Sequence, residues 1–397
     1  MKIKLAVLFG GKSVEHEISV ISALQAMNSL DTEKYEIIPV YMTKQNDFYT
    51  GNALRDIEKY RDIAKLLTEA TRVTFVSENG KTRLDRLPAK KFGSSTVSEI
   101  DVAFPIVHGT NVEDGALQGF LKTLNLPFVG CDVLASAVGM DKFVMKTILK
   151  DAGFPVLPAL RYAAKDYNHP ETMLAEIETK IGYPVIVKPV NLGSSVGISK
   201  AHDRASLENA LDTAFSFADT VLIERAITHL REINCSVVGD ENGAEASVLE
   251  EPVMQDEILS YKDKYMDGGK GGKSSGMASL KRKIPAELPE DRTEAIRTLA
   301  VNAFQTLGCS GVSRIDFMID CDEDKVYLNE INTIPGSLSF YLWEPKGLKY
   351  KALLDRLVQT ALDRARKQQS ITYTFDTNVF AMGSGFGGAK GAKGAKR

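Results

Sequence analysis

The first 42 residues switch period twice, and that switch limits the fold more than any single motif. KIKLAVLF is a short apolar run, the pattern of a buried strand. EHEISVISALQAMNSL then sets Ile18, Ile21, Leu24 and Met27 at helical spacing, and YEIIPVYM returns to an apolar run. Further on, DVAFPIVHG and GALQGFLKTLN repeat the strand–helix order. Strand, helix, strand needs a crossover, so the strands lie parallel and helices cover the sheet. The expectation is an α/β protein that begins with an open parallel sheet. Residues 43–100 are more polar and yield no assignment.

A chain of 397 residues suggests two or three domains. Its net charge of −3 gives no reason to expect a nucleic-acid partner. No apolar run approaches the roughly 18 residues that cross a bilayer. MKIKLAVLFGG has a basic start, but its apolar run is short and lacks a small-residue cleavage site, so it reads as a strand. Cys131, Cys235, Cys309 and Cys321 have no metal or redox spacing and read as reduced thiols in the cytoplasm.

The rest of the chain reads as further elements. MDKFVMKTILKDAG, SLENALDTAFSFA, PEDRTEAIRTLAVNAFQTLG and YKALLDRLVQTALDRARKQQ are helices, while EINCSVVG and AEASVLEEPVM flank a DENG turn. DGGKGGKSSG, residues 267–276, has no buried face and reads as a lid or a disordered loop. GSGFGGAKGAKGAKR at the end cannot bury a core and reads as disordered.

Gly11-Lys12-Ser13 looks like the end of a phosphate-binding G-x-x-x-x-G-K-[ST] loop, but the first glycine position holds Ala6, inside the strand. The motif therefore fails. Glu15, His16 and Glu17 fall in the first turn of a helix expected to start at Ser13. The glutamates complement the helix dipole there. Alternatively, Glu15 faces a ligand crevice at the carboxyl end of the first strand, where a carboxylate suits an ammonium group.

The richest chemistry lies in 311–332. In SRIDFM, Arg314, Asp316 and Met318 share one strand face, and Ile315, Phe317 and Ile319 the other. In YLNEIN, Glu330 and Asn332 share a face. A hairpin centred near Glu323 sets Asp316 opposite Glu330 and Arg314 opposite Asn332. Like charges facing each other destabilise a hairpin, and a cation between them reverses that. Asp, Glu and Asn are hard oxygen ligands that suit Mg²⁺ or Mn²⁺. A register one step away leaves only a solvated polar face.

YPVIVKPVNLGSSVGIS is apolar up to Val187 and then meets Lys188. Its LGSSVG loop offers N–H groups and hydroxyls to phosphate oxygens, and Lys188 offers a point charge. The plain alternative is a flexible hairpin with a snorkelling lysine. Beside a metal-binding hairpin, a nucleoside triphosphate accounts for both features, with TVLIERAI as the hinge that meets the base.

Eight segments stand in one order: GGKSVEHEIS, VHGTNVEDGALQG, GMDKFVMK, VIVKPVNLGSSVGISK, VLIERAI, YKDKY, SRIDFMID and NEINTIPG. In them, over residues 3–370, the chain resembles the D-alanine–D-alanine ligases of the ATP-grasp superfamily. The resemblance implies a three-domain ATP-grasp fold. A Rossmann-like substrate domain would span 1–130 and a central subdomain 131–224. A C-terminal subdomain, 225–370, would carry the metal site and a mobile lid at 254–283, followed by a disordered tail at 371–397.

ATP would be gripped between the last two subdomains. The resemblance implies that Lys142, Lys188 and Lys264 contact its phosphates, under a loop containing Ser194 and Ser195. Glu224 and Ile227 would meet adenine through their backbone, and Glu232 the ribose. Asp316, Glu330 and Asn332 would hold two Mg²⁺ or Mn²⁺ ions. Glu15 would bind the first substrate's ammonium group, linked through Ser194 to Tyr265 on the lid, with His108 close by. Arg314 and the N–H of Gly336 would stabilise the tetrahedral intermediate. The implied activity joins two D-alanines through an acyl phosphate, for peptidoglycan synthesis. It would be carried out by a cytoplasmic homodimer acting on small amino acids, with no nucleic-acid or membrane partner.

The chain departs from the family pattern in two places. The lid is richer in Gly and Lys, with Asp263 in place of a small residue. After NTIPG the family commonly has a Thr and then a Ser that holds the second substrate; here the chain reads SLSFYLWEPKGLKY, with Tyr341 and Leu342 near that place. A different acceptor, D-serine, D-lactate or another amino acid, stays open. So does a nucleotide-binding protein that has lost catalysis, although the intact Lys188, Arg314, Asp316, Glu330 and Glu15 argue against it.

Overall fold

The computed structural model describes residues 2–168, 170–252 and 282–373. Three sheets organise them. The first holds β1 (Ile3–Gly10), β2 (Tyr35–Met42), β3 (Phe48–Thr50), β4 (Thr71–Glu78), β5 (Lys81–Arg86), β6 (Thr96–Ile100) and β7 (Val102–Pro105), in the order β6-β5-β4-β3-β2-β1-β7. β2, β1 and β7 are parallel, as the early period switch requires. Residues 43–100 add an antiparallel half, β3 to β6. The sheet is therefore mixed rather than purely parallel. The β4–β5 turn is Asn79-Gly80, both at positive φ, the pair that a tight hairpin favours.

The first helix runs His16–Ser29, with Glu15 rather than Ser13 at its cap. Gly10 and Gly11 turn the chain at φ +90 and +93. The Ser13 carbonyl then accepts the His16 N–H and its hydroxyl accepts the Glu15 N–H. That turn uses up the residues that would have extended the helix.

β8 (Ala159–Ala163), β9 (Val185–Pro189), β10 (Ser199–Ala201) and β11 (Thr220–Arg225) form an antiparallel sheet ordered β10-β9-β11-β8. Helices Pro170–Lys180 and Arg204–Phe215 cover it, burying Leu174, Ile177, Leu207 and Leu211 against Val185, Val187, Val221 and Ile223. β12 (Leu230–Asp240), β13 (Gly243–Pro252), β14 (Arg282–Lys283), β15 (Gly311–Asp320) and β16 (Lys325–Asn332) form the third sheet, ordered β14-β13-β12-β15-β16.

β15 and β16 pair as the charge pattern predicts, with Arg314 opposite Asn332 and Asp316 opposite Glu330. Ile315, Phe317 and Ile319 point into a core shared with helices Lys142–Asp151 and Glu290–Thr306, which leaves Arg314 and Asp316 on the opposite face. Beyond Asp316 the register slips, because Phe317 pairs with Leu328. Asn329 is the extra residue of a bulge, a device that re-aims a side chain.

The last helix, Tyr350–Gln369, returns to the first sheet. Its Leu353, Leu354, Leu357 and Val358 join that sheet's core, and Asp355 accepts bonds from Lys34 (2.7 Å) and Tyr35 (2.6 Å). Among the described residues, no helix is long and apolar enough to cross a membrane.

Candidate active site

Residues from all three sheets line one cleft of roughly 1810 Å³, open solvent at its mouth included. Its apolar wall is supplied by residues such as Ile186, Leu230 and Met318, and its chemistry by charged groups at three stations.

At the first station Lys188, at the end of β9, reaches Glu224 on the neighbouring β11 (2.5 Å) and Asn329 Oδ1 (3.2 Å). The other Glu224 oxygen accepts a bond from Lys146. Lys142 and Lys146 stand at i and i+4 of one helix and so project from one face. Lys142 donates to the Leu192 carbonyl (2.7 Å) and lies 3.1 Å from Glu330. Burial alone would raise the Glu224 carboxyl, but the charges of Lys146 and Lys188 outweigh it and hold the group down to about 2. One carboxylate thus bridges two buried ammonium groups.

The hairpin is the second station. Arg314 grips Asp316 with two parallel bonds, Nε to Oδ1 and Nη2 to Oδ2, both 2.7 Å. Asn332 donates to the same Oδ2 at 3.0 Å. The two facing carboxylates are thus each balanced by a cation, Asp316 by Arg314 and Glu330 by Lys142. No group of three His, Cys, Asp or Glu side chains that could hold a metal occurs among the described residues. Two carboxylates and an amide oxygen still fit a hard divalent ion, because Mg²⁺ at phosphate sites usually takes one or two carboxylates and fills its other positions with phosphate oxygens and water.

The third station is Glu15. The Ser194 hydroxyl donates to Glu15 Oε1, joining the glycine–serine loop to the carboxyl end of β1. A Cβ on Gly193 would come within 2.8 Å of Glu15 Oε2, so a larger residue there would push the Glu15 carboxylate aside. Glu17, by contrast, is exposed and pairs with Lys44 at 2.6 Å. His16 is buried between the Gly11 carbonyl and the Tyr41 hydroxyl, a structural role.

His108 lines the cleft, but both ring nitrogens are engaged, Nδ1 with the Ile334 carbonyl (2.8 Å) and Nε2 with Ser22 Oγ (3.0 Å). A carbonyl only accepts, so Nδ1 carries the proton. Burial lowers the ring's pKa and keeps it neutral. Beside it, Glu113 accepts the Gly109 and Ile334 N–H groups (3.0 and 2.8 Å), and burial pushes its carboxyl up to about 8. These two residues tie the NTIPG segment to the first sheet.

Glu15, His108, Lys142, Lys188, Ser194 and Ser195 therefore meet in one cleft. Glu224, Glu232, Arg314, Asp316, Glu330, Asn332 and Gly336 line it too. Ile227 does not, and its side chain packs with Leu157 and Met318. Leu342 is fully buried, and Tyr341 stands behind the wall with its hydroxyl on Glu250 (3.2 Å). Lys264, Tyr265 and residues 254–281 of the expected lid lie outside the described residues, as does the tail from 374. Sequence reasoning missed Lys146, Glu113, Asn329, Glu250 and Arg282. Of these, Lys146 alone left a readable signal, its spacing from Lys142.

The comparisons agree with this geometry. The family models "D-ala D-ala ligase N-terminus" and "D-ala D-ala ligase C-terminus" match residues 4–131 and 148–359. The D-alanine–D-alanine ligase of Thermosipho melanesiensis is 38% identical over 381 residues, 96% of this chain and 99% of that one. That of Caldicellulosiruptor bescii is 41% identical over 387 residues, 94% and 99% of the two chains. Among solved structures, the D-alanine–D-alanine ligase of Coxiella burnetii superposes with a TM-score of 0.77 at 31% identity, covering 93% of this chain and 96% of its own. The VanG D-Ala:D-Ser ligase of Enterococcus faecalis gives 0.75 at 28%, covering 91% and 100%. With both family models matched and such relatives aligned nearly end to end, this chain belongs to the D-alanine–D-alanine ligase family.

Proposed function

We propose that the protein joins two D-alanines with ATP as the activating substrate, and that the three stations divide the work. The observation that carries this reading is the Ser194–Glu15 contact. It brings a carboxylate suited to a substrate ammonium against a loop suited to phosphate, in a cleft with the lysine station at its other end.

A carboxylate does not acylate an amine in water without activation. One carboxylate oxygen of the first D-alanine attacks the γ-phosphorus of ATP and ADP leaves, giving an acyl phosphate. The amine of the second D-alanine attacks the carbonyl carbon, loses a proton, and expels phosphate with that former carboxylate oxygen. Lys142 and Lys188 neutralise the transferring phosphoryl group. Arg314 and the Gly336 N–H stabilise the oxyanion of the tetrahedral intermediate. Glu15 orients the first substrate through its ammonium group, and Ser194 fixes Glu15. Asp316, Glu330 and Asn332 would hold the divalent ions, two Mg²⁺ or Mn²⁺ in this reading, whose charge offsets that of the phosphates. Glu224 and Ile227 are assigned to adenine, Glu232 to ribose, and Lys264 and Tyr265 to a lid over 254–283. Water destroys an acyl phosphate, so a covering segment is required.

The domain division 1–130, 131–224 and 225–370 belongs to the same reading, as do a homodimer through the first sheet and a cytoplasmic location for cell-wall synthesis. D-Serine as acceptor is the second reading, favoured by SLSFYL after Gly336 and by the likeness to a D-Ala:D-Ser ligase.

The test is phosphate release from ATP and Mg²⁺ with D-alanine alone, then with D-alanine and a panel of acceptors, with products identified by mass. D-Alanyl-D-alanine as the main product is expected. Release that depends on another acceptor would move the assignment to that acceptor, and no release would refute it. Deleting 377–397, a stretch rich in Gly, Ala and Lys, is expected to leave the rate unchanged; a large loss in the same assay would contradict the passive role assigned to it.

A further inference from the structure

A second concavity opens beside the first turn of the first helix. Glu15 faces the cleft, whereas the next two residues, His16 and Glu17, line a separate pocket of roughly 910 Å³, open solvent at its mouth included. Val20 and Ile21 of the same helix form part of its wall. Ile57 and Tyr60 of the 3-10 turn Ile57–Arg61 join them, with Ile63 and Leu67 of the helix Ile63–Glu69. The ligation chemistry uses none of these residues.

The inner polar groups of the pocket are engaged. His16 Nδ1 donates to the Gly11 carbonyl (2.7 Å), and Nε2 accepts the Tyr41 hydroxyl (2.9 Å). Burial lowers the pKa of this ring and keeps it neutral. Tyr60 donates to the Leu54 carbonyl (2.8 Å), and Thr43 Oγ1 accepts the N–H groups of Gln45 and Asp47 (3.2 and 3.1 Å). An occupant therefore meets apolar surface inside.

Among the lining residues, formal charge belongs to Glu17 and Lys44, which pair at 2.6 Å and are 60% and 54% exposed. An apolar hollow with a few polar groups at one place is the usual form of a small-molecule site. The two charges decide what head group suits this one. A lone carboxylate, as on a fatty acid, meets Lys44 but is repelled by Glu17. A lone amine meets Glu17 but is repelled by Lys44. An α-amino acid carries both charges on neighbouring atoms and satisfies both partners at once. The exposed pair is worth little by itself, so opening it to admit the head group costs little.

We infer that this pocket is a second amino-acid site, outside the cleft, for a free α-amino acid with a large apolar side chain. The side chain enters between the first helix and the Ile57–Leu67 segment. Its carboxylate meets Lys44 and its ammonium group meets Glu17.

The test is ligand-observed saturation-transfer NMR on the full-length protein, with L-leucine and L-phenylalanine as probes. A dissociation constant of about 1 mM is expected for the native chain, and alanine should bind at least about 10-fold more weakly for want of apolar surface. N-Acetylleucine and leucinamide, each lacking one charge, should bind about 3-fold more weakly, and Glu17→Gln combined with Lys44→Met about 10-fold. Ile21→Trp fills the pocket from a half-buried position and should abolish the signal. If it does not fold, the double variant, changed only at exposed positions, decides alone. D-Alanine at a concentration that saturates phosphate release should leave leucine bound. No signal from the native chain overturns the site. So does displacement by D-alanine, which would put the probe in the cleft, or unchanged binding in the folded variants. Analogues that bind as well as leucine overturn the zwitterion. Phosphate release by the same protein reports on the ligase reading separately.

Discussion

Replacing Glu330 by glutamine is expected to cut phosphate release by about 10³-fold, the scale of losing one preorganised electrostatic group at a transferring phosphoryl. The melting temperature should fall by no more than about 3 °C. The substitution keeps shape and removes charge. Glu330 is part-exposed in the cleft and its side chain does not enter the core, which β16 fills with Leu328 and Ile331. Its partner Lys142 keeps the Leu192 carbonyl. Raising Mg²⁺ or Mn²⁺ should recover part of the rate, because the variant binds the ion more weakly. Near-native turnover at ordinary Mg²⁺ would remove the hairpin from the metal assignment. A collapse in melting temperature would make it a stability element instead.

Glu224→Gln should act the opposite way, on the fold first. Glu224 is 3% exposed and stands between two lysines that are 4% and 5% exposed. Removing it leaves two buried ammonium groups without their counter-charge, a loss of about 3–5 kcal/mol. The pH dependence has a definite sign. The native Glu224 carboxyl is held from its ordinary 4.5 down to about 2. Its contribution is therefore present above about pH 4.5 and lost as pH falls towards 2. Urea unfolding at pH 7 should give the loss directly. Between pH 4.5 and 2 the stability of the variant should fall less steeply than that of the native chain. A variant as stable as the native chain, with the same acid slope, would show that the lysines find other partners.

The parts that were legible in the sequence are those governed by local period. The strand–helix–strand start, the β15–β16 register and the helix Tyr350–Gln369 all follow from spacing that burial enforces. In the hairpin, alternation put Ile315, Phe317 and Ile319 on the core face and Arg314 and Asp316 on the other, and the expected facing of Asp316 and Glu330 holds at the cleft end, while the one-residue shift beyond Asp316 left no mark in the pattern. The antiparallel half of the first sheet was missed because β3 is only three residues long and β4 to β6 are polar-faced, although Asn79-Gly80 marked one turn. The start of the first helix was misjudged because a two-glycine turn ahead of it consumed Ser13 as a turn residue. Long-range contacts left no trace at all. Glu250 and Arg282 meet across β13 and β14, Glu113 reaches Ile334 over more than 200 positions, and Asn329 finds Lys188 only because of a bulge. The resemblance named Glu15, Lys188, Ser194 and Arg314, which the structure brings to one cleft, and it gave Glu224 a backbone role without the side-chain bonds that hold the two lysines.

The measurement that tests the central claim most directly follows an oxygen atom. D-Alanine labelled with ¹⁸O in its carboxylate is incubated with ATP, Mg²⁺ and the full-length protein, and both phosphate and product are weighed. Activation through an acyl phosphate predicts one ¹⁸O in each phosphate released, with D-alanyl-D-alanine formed in equal amount. Phosphate without label, or labelled phosphate with no dipeptide beside it, would contradict the account.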